Sequence, residues 1–300
     1  MIYERARPRH VELLTRGVLL LSAFDIAIDP IEQAAQLPLD WFKPVGLWQL
    51  VPRGLLALLF NSQVLGGLRL LTVLGLVAAA LVLPSRRYLA LPSCFLVVLC
   101  SSFGRGLGHI NHAQLPLLFV TCFLSVVATV PWKKDRWADP FDRPNSAALF
   151  TAVALLMSFF YAGIGLYRLG QSGVHAYLGD AMRYYSASNL LRSGYFNFPF
   201  GRYILASDVI LVLTNLGYAV VTVGEITAPW AHRRRSFALV WSLTMIGFHL
   251  TVFFTMNILF FHNIILLVLL YLWPLTWKDK LQASPAPEHG QRTVQLRTSE

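Results

Sequence analysis

The stretch Gly108-His109-Ile110-Asn111-His112 has the residue types for proton chemistry. A histidine exchanges a proton near neutral pH, and the amide of Asn111 beside it offers both a donor and an acceptor to orient the ring. His109 and His112 have HxxH spacing, but no carboxylate or third ligand accompanies them, so a metal is not indicated. A second stretch, Tyr161-Ala-Gly-Ile-Gly-Leu-Tyr-Arg168, ends an apolar run. Gly163 and Gly165 permit close approach of a neighbouring helix. Arg168 supplies a permanent charge that can clamp an anion or a carbonyl but, having no lone pair to offer, cannot act as a base. His249 and His262 flank a turn near Thr255-Met256-Asn257, and Asp208 is expected to pair with Arg168 or with a histidine. Glu225 is expected to be structural, pairing with the Arg233–Arg235 run. Each feature also has a plainer reading. Residues 108–112 can form a loop that satisfies its own backbone, Arg168 can snorkel to an interface, and lone span histidines often join two helices.

The elements that must position these groups are apolar. Hydrophobic residues make up 56% of the 300 and charged residues 13%, and the mean hydropathy is +0.55. Soluble domains carry roughly 25% charged residues, so the chain belongs in a bilayer. Segments of about 20 mostly apolar residues are needed to cross one. Candidates fall at roughly 11–29, 63–83, 88–104, 113–131, 146–168, 205–227, 236–255 and 257–276. The fold class expected is therefore all-α integral membrane, with about eight transmembrane helices. The first segment reads as an uncleaved span rather than a signal peptide, because Asp25 and Asp29 fit a cleaved leader poorly. Cys94, Cys100 and Cys122 show neither CxxC nor Cys/His spacing and read as small packed hydrophobes.

Charge sets the orientation. Of the 25 Lys and Arg, 17 lie on one side when the eight segments alternate: Arg5 to Arg16, Arg86 and Arg87, Lys133 to Arg143, Arg233 to Arg235, and Lys278 onward. Positive loops favour the cytoplasm, so both termini are expected there. The net charge of +10 is spread over these short loops, which argues for membrane orientation and against nucleic acid as a partner. The connections 30–62 and 169–204 are rich in Trp, Tyr and Phe and are expected to form interfacial helices on the non-cytoplasmic side. Residues 1–277 then form one transmembrane domain and 278–300 a disordered cytoplasmic tail. With this alternation Asp25, Arg69, His109, Asn111, His112, Arg168, Asp208, His249, Asn257 and His262 all fall in or near the non-cytoplasmic half. A charged or hydrogen-bonding group in hydrocarbon costs about 3 kcal/mol, so such groups face a bundle interior or a wet cavity. A polar chamber open to the non-cytoplasmic side is expected.

Taken in order, several landmarks resemble the horizontally transferred transmembrane (HTTM) family, relatives of vitamin K-dependent gamma-glutamyl carboxylase. They are the Trp41-Phe-Lys-Pro44 to Pro52-Arg53 loop, the Asn111-His112 pair, Ala162 to Leu169, Glu225 to Pro229, and Gly247-Phe248-His249. The resemblance covers roughly Val11 to Trp277 and implies a helical membrane fold of a bacterial plasma (inner) membrane with a site open to the non-cytoplasmic side. It also implies a quinone-like lipid as cofactor or substrate, with an exported peptide or a redox partner as alternatives. His112 would be the acid/base, Asn111 its orienting partner, Arg168 a clamp, and His249 and His262 secondary candidates. The carboxylase has a base lysine where this chain has Arg168, so carboxylation is not expected. A non-enzymatic accessory or scaffold role in peptide maturation or export is the alternative.

Overall fold

The computed structural model describes residues 2–83, 87–107, 114–129, 143–190, 198 and 200–277, and every regular element among them is helical. α1 (Pro8–Ile28) begins with proline at its first position, where the missing N–H costs nothing, and stops at Asp29 before Pro30. α2 (Arg53–Leu59) closes a connection otherwise built from short 3-10 turns. α3 (Ser62–Val82) starts at Asn61, whose side chain accepts the Gln63 N–H at 2.8 Å. α4 (Ala90–Gly106) and α5 (Leu115–Thr129) follow, then α6 (Arg143–Ser172), which is 30 residues long. The 169–204 connection contains α7 (His175–Leu178), α8 (Ala181–Leu190) and α9 (Gly201–Ala206). α10 (Asp208–Thr227) is capped by Ser207, and α11 (Arg235–Met256) ends on Asn257 at φ 55, the left-handed conformation that asparagine tolerates. α12 (Phe261–Leu267) runs on through a π turn and a 3-10 turn to Thr276.

Among the described residues four helices are long and apolar enough to cross a membrane: those at Ser62–Val82, Asn145–Gln171, Asp208–Trp230 and Arg235–Met256. The eight spans expected are thus not shown. α4 and α5 have 17 and 15 residues, and α1, though 21 long, carries Glu12, Arg16 and Asp25. The outer faces fit lipid. Val209, Leu213, Leu216, Val220 and Val223 recur along α10 at helical spacing and are each more than half exposed. An apolar stripe of that length in water would drive association, whereas lipid tails solvate it without cost. The chain is an integral membrane protein.

Contacts between the connecting segments identify two ends of the bundle. At one end the Ile2 N–H donates to the His232 carbonyl at 3.4 Å, the Tyr3 ring stacks on Phe150 at 5.8 Å, and Arg5 donates to the Trp277 carbonyl at 3.1 Å. At the other, Lys43 N–H donates to the Gly106 carbonyl at 2.7 Å, Arg69 to Ala27 at 2.9 Å, and Phe198 N–H to Asn257 Oδ1 at 3.1 Å. The largest buried cluster joins the N-terminal segment and α1 to α5, α6, α11 and α12. A smaller one seats Phe42, Trp48 and Phe103 beneath the 30–62 connection.

Candidate functional site

Two buried carboxylate pairs stand out inside the bundle, Arg168 with Glu225 and His262 with Asp25, and the first is closed. Arg168 lies near the C-terminal end of α6 and its Nη1 donates to both carboxylate oxygens of Glu225, at 3.0 and 2.9 Å. The Glu225 side chain is 2% exposed and that of Arg168 25%. Aromatic faces complete the enclosure: the guanidinium lies 5.1 Å from the Tyr218 ring centre and 5.7 Å from that of Phe248. The local sequence explains the approach. A Cβ on Gly165 would lie 2.9 Å from the Glu225 Cβ and 3.1 Å from the Ile226 nitrogen, so glycine is what lets α6 lie this close to α10.

This pairing corrects the expectation for both residues. Glu225 does not pair with Arg233–Arg235, and Arg168 does not sit at an outer boundary as a free clamp. The reason is the close packing of α6 on α10 at Gly165, which brings Arg168 beside Glu225 in the last turn of α10, with Tyr218 also in reach. Asp208, expected to pair with Arg168 or a histidine, instead bonds Arg183, which also reaches Asp180 at 2.9 Å.

The second pair joins α1 to α12. His262 Nε2 lies 2.5 Å from Asp25 Oδ1, with the two side chains 4% and 7% exposed. Gln114 donates its amide to the same Asp25 oxygen at 3.2 Å. With Nε2–H donating to the carboxylate, a neutral His262 presents Nδ1 as an acceptor, and that atom has no partner among the described residues. Asn263 Oδ1 beside it is also buried and unpartnered. A carboxylate that orients an imidazole while leaving its other nitrogen unbonded is the arrangement of a general base.

His249 belongs to a third group. Its Nε2 is 2.8 Å from the Tyr161 hydroxyl, and Tyr161 packs edge-on against Trp241 with ring centres 5.7 Å apart. Trp241 in turn donates to the Gly224 carbonyl at 2.7 Å, one residue before Glu225. Phe248 and His249 are consecutive, so the Tyr161–His249 bond adjoins the Arg168 enclosure. The band of polar residues therefore divides. Arg168 and His249 gather around Tyr161 and Glu225, His262 joins Asp25, Arg69 bonds Glu32 at 2.6 Å, and Asn257 caps a helix. Asn111, His112 and His109 lie outside the described residues.

The two best-formed cavities lie elsewhere. An apolar groove of about 370 Å³ runs between the Gly46–Leu50 turn, α3 and α4, lined by Trp48, Leu65, Phe95 and Leu99 among others. A polar recess of about 240 Å³ is lined by Ile2, Glu4, Arg5, Arg233 and Arg235.

Sequence reasoning missed Tyr161, Trp241 and Gln114 as partners. Depth in a span can be counted along the sequence, whereas rotation about the helix axis cannot. Cys94 and Cys122 are likewise neighbours: their Sγ atoms are 3.1 Å apart across α4 and α5, and both thiols are free. No family model, curated protein or solved structure matches the chain.

Proposed function

We propose that the chain is an eight-span protein of the bacterial plasma (inner) membrane, with both termini cytoplasmic, that performs acid–base chemistry on a quinone-like lipid or an exported peptide. One observation carries the reading: His262 is held by Asp25 at 2.5 Å in the bundle interior, and its Nδ1 has no partner among the described residues. In this scheme His262 is the base and Asp25 its orienting group. Ordering of an imidazole by a carboxylate fixes the tautomer and supports the positive charge that appears when Nδ1 takes a proton. The gathering of the basic N-terminus, the α10–α11 connection and Trp277 at one end supports the alternation that eight spans require.

The likeness to the HTTM family supports the same outline and adds His112 and Asn111 as further acid/base candidates. It does not extend to carboxylation. Arg168 stands where the base lysine is expected, and its charge is committed to Glu225. A second reading, a non-enzymatic accessory subunit, is favoured by the lining of the two cavities described above, which includes no member of either pair.

Lipid extraction of the purified protein followed by mass spectrometry tests the choice. Wild-type protein is expected to carry a quinone that His262→Gln loses while remaining membrane-inserted. Absence of any quinone from both proteins, with normal insertion, would favour the accessory role.

A further inference from the structure

The end of the bundle that collects the chain's start and the α10–α11 connection carries a concentration of guanidinium groups with a shape of its own. The polar recess of about 240 Å³ there is faced by Arg5, Arg233 and Arg235 against a single carboxylate, Glu4. Two of the three arginines are anchored at the end of the last helix: Arg5 Nη1 donates to the Trp277 carbonyl at 3.1 Å, and Arg235 Nη2 to the Leu275 carbonyl at 3.4 Å. Arginine has five N–H donors, so one such bond from Arg235 leaves most of its fork unused. Arg233 is exposed and makes no side-chain hydrogen bond or ion pair with the described residues. Ile2, 2% exposed and tethered by its N–H to the His232 carbonyl at 3.4 Å, forms the floor.

Aromatic residues give the depth. Trp277 stacks on His10 with ring centres 4.1 Å apart and meets Phe150 at 5.1 Å, while Trp230 beside the recess is half exposed. Tryptophan concentrates at the headgroup level of a bilayer, which sets the recess among lipid phosphates. Planar guanidinium forks match a phosphate in paired hydrogen bonds, and basic pockets between spans on the cytoplasmic side take anionic headgroups. We propose that Arg5, Arg233 and Arg235 form a binding site for a phosphate group, that of an anionic phospholipid. The proposal rests on the reading that this end lies at the cytoplasmic surface, and it is independent of the chemistry assigned to His262. The apolar floor and the helix-end anchors distinguish the site from a diffuse basic surface, because they fix where two of the forks begin.

The test uses the full-length protein in detergent, mixed with phosphatidylglycerol or phosphatidylcholine and followed by native mass spectrometry. Preferential retention of phosphatidylglycerol is expected, falling about fivefold in Arg233→Gln and by a comparable further factor in the Arg233→Gln/Arg235→Gln double variant. Arg202→Gln, an exposed arginine on α9 at the other end, is expected to change nothing. Arg233→Lys keeps the charge without the fork and should retain less lipid than wild type but more than the glutamine variant. A third arm adds inorganic phosphate to protein loaded with phosphatidylglycerol: retention of the lipid supports a lipid source, while its displacement by phosphate overturns it. Equal retention of both lipids, or full retention in the double variant, also overturns the proposal. Resistance to alkaline carbonate extraction, measured on the same membranes, shows separately whether the chain spans the bilayer.

Discussion

Arg168–Glu225 and Asp25–His262 are both carboxylate-centred pairs inside an apolar bundle, yet they differ in how completely they satisfy themselves. In the first, a guanidinium meets both oxygens of one carboxylate, and aromatic faces cover what remains. In the second, an imidazole spends one nitrogen on a carboxylate, and its other nitrogen, like the buried amide oxygen of Asn263, has no partner among the described residues. A closed pair holds two helices together. An open pair can hold a ligand or move a proton. The sequence ranks the two sites the other way, because Arg168 carries the more conspicuous charge.

Breaking the closed pair on one side should produce the largest effect on stability. Glu225→Ala leaves a buried guanidinium uncompensated, which costs about 3–5 kcal/mol. Unfolding in mixed micelles should show this loss, and the double substitution Arg168→Met/Glu225→Leu should recover most of it, since a well-packed apolar replacement of a buried ion pair is often neutral. Failure of the double variant to recover would mean that Arg168 has a task beyond Glu225. Gly165→Ala tests the same contact from the backbone. Its Cβ would lie 2.9 Å from Glu225 Cβ and 3.1 Å from the Ile226 nitrogen, so overpacking of about 1–3 kcal/mol is expected.

Effects on the open pair should be smaller in stability and larger in function. Asp25→Asn keeps a hydrogen-bond acceptor for His262 and removes the charge that supports its protonated form. Melting should shift by no more than about 1 kcal/mol, the size of a net hydrogen bond, while turnover or ligand binding is lost. Tyr161→Phe should be the mildest, removing only the 2.8 Å bond to His249 at a cost of about 1 kcal/mol. A melting loss as large as that of Glu225→Ala in either variant would erase the distinction between the pairs. Apart from these, mild oxidation should join Cys94 to Cys122, whose sulfurs are 3.1 Å apart, and leave Cys100 free to react with a thiol reagent under denaturing conditions.

The fold class was legible because hydropathy reports membrane residence directly: α3, α6, α10 and α11 follow from runs of apolar residues alone. α4 and α5 were read as spans on alternation, and their length does not carry that reading by itself. The Asp25–His262 pairing was half legible. Both residues fall at one depth in the count of spans, but they are 237 positions apart, and nothing local announces which faces of α1 and α12 meet. The Arg168–Glu225 pairing was hidden by an assumed helix end. Ending the fifth span at residue 168 put the two charges on opposite sides, whereas α6 continues to Ser172 and packs Arg168 beside Glu225 in the last turn of α10. A signal was present in Gly165, which marks a close helix contact within one turn of the only cation in that run, whereas Gly163 faces open space.

The central claim is that the open pair, and not the closed one, serves a ligand. Tryptophan fluorescence of the purified protein titrated with a short-chain quinone separates them most directly. Saturable quenching is predicted for wild type and for Arg168→Met/Glu225→Leu, with loss of saturation in Asp25→Asn and His262→Gln. Unchanged binding in the His262 and Asp25 variants, together with loss in the Arg168/Glu225 double variant, would contradict it.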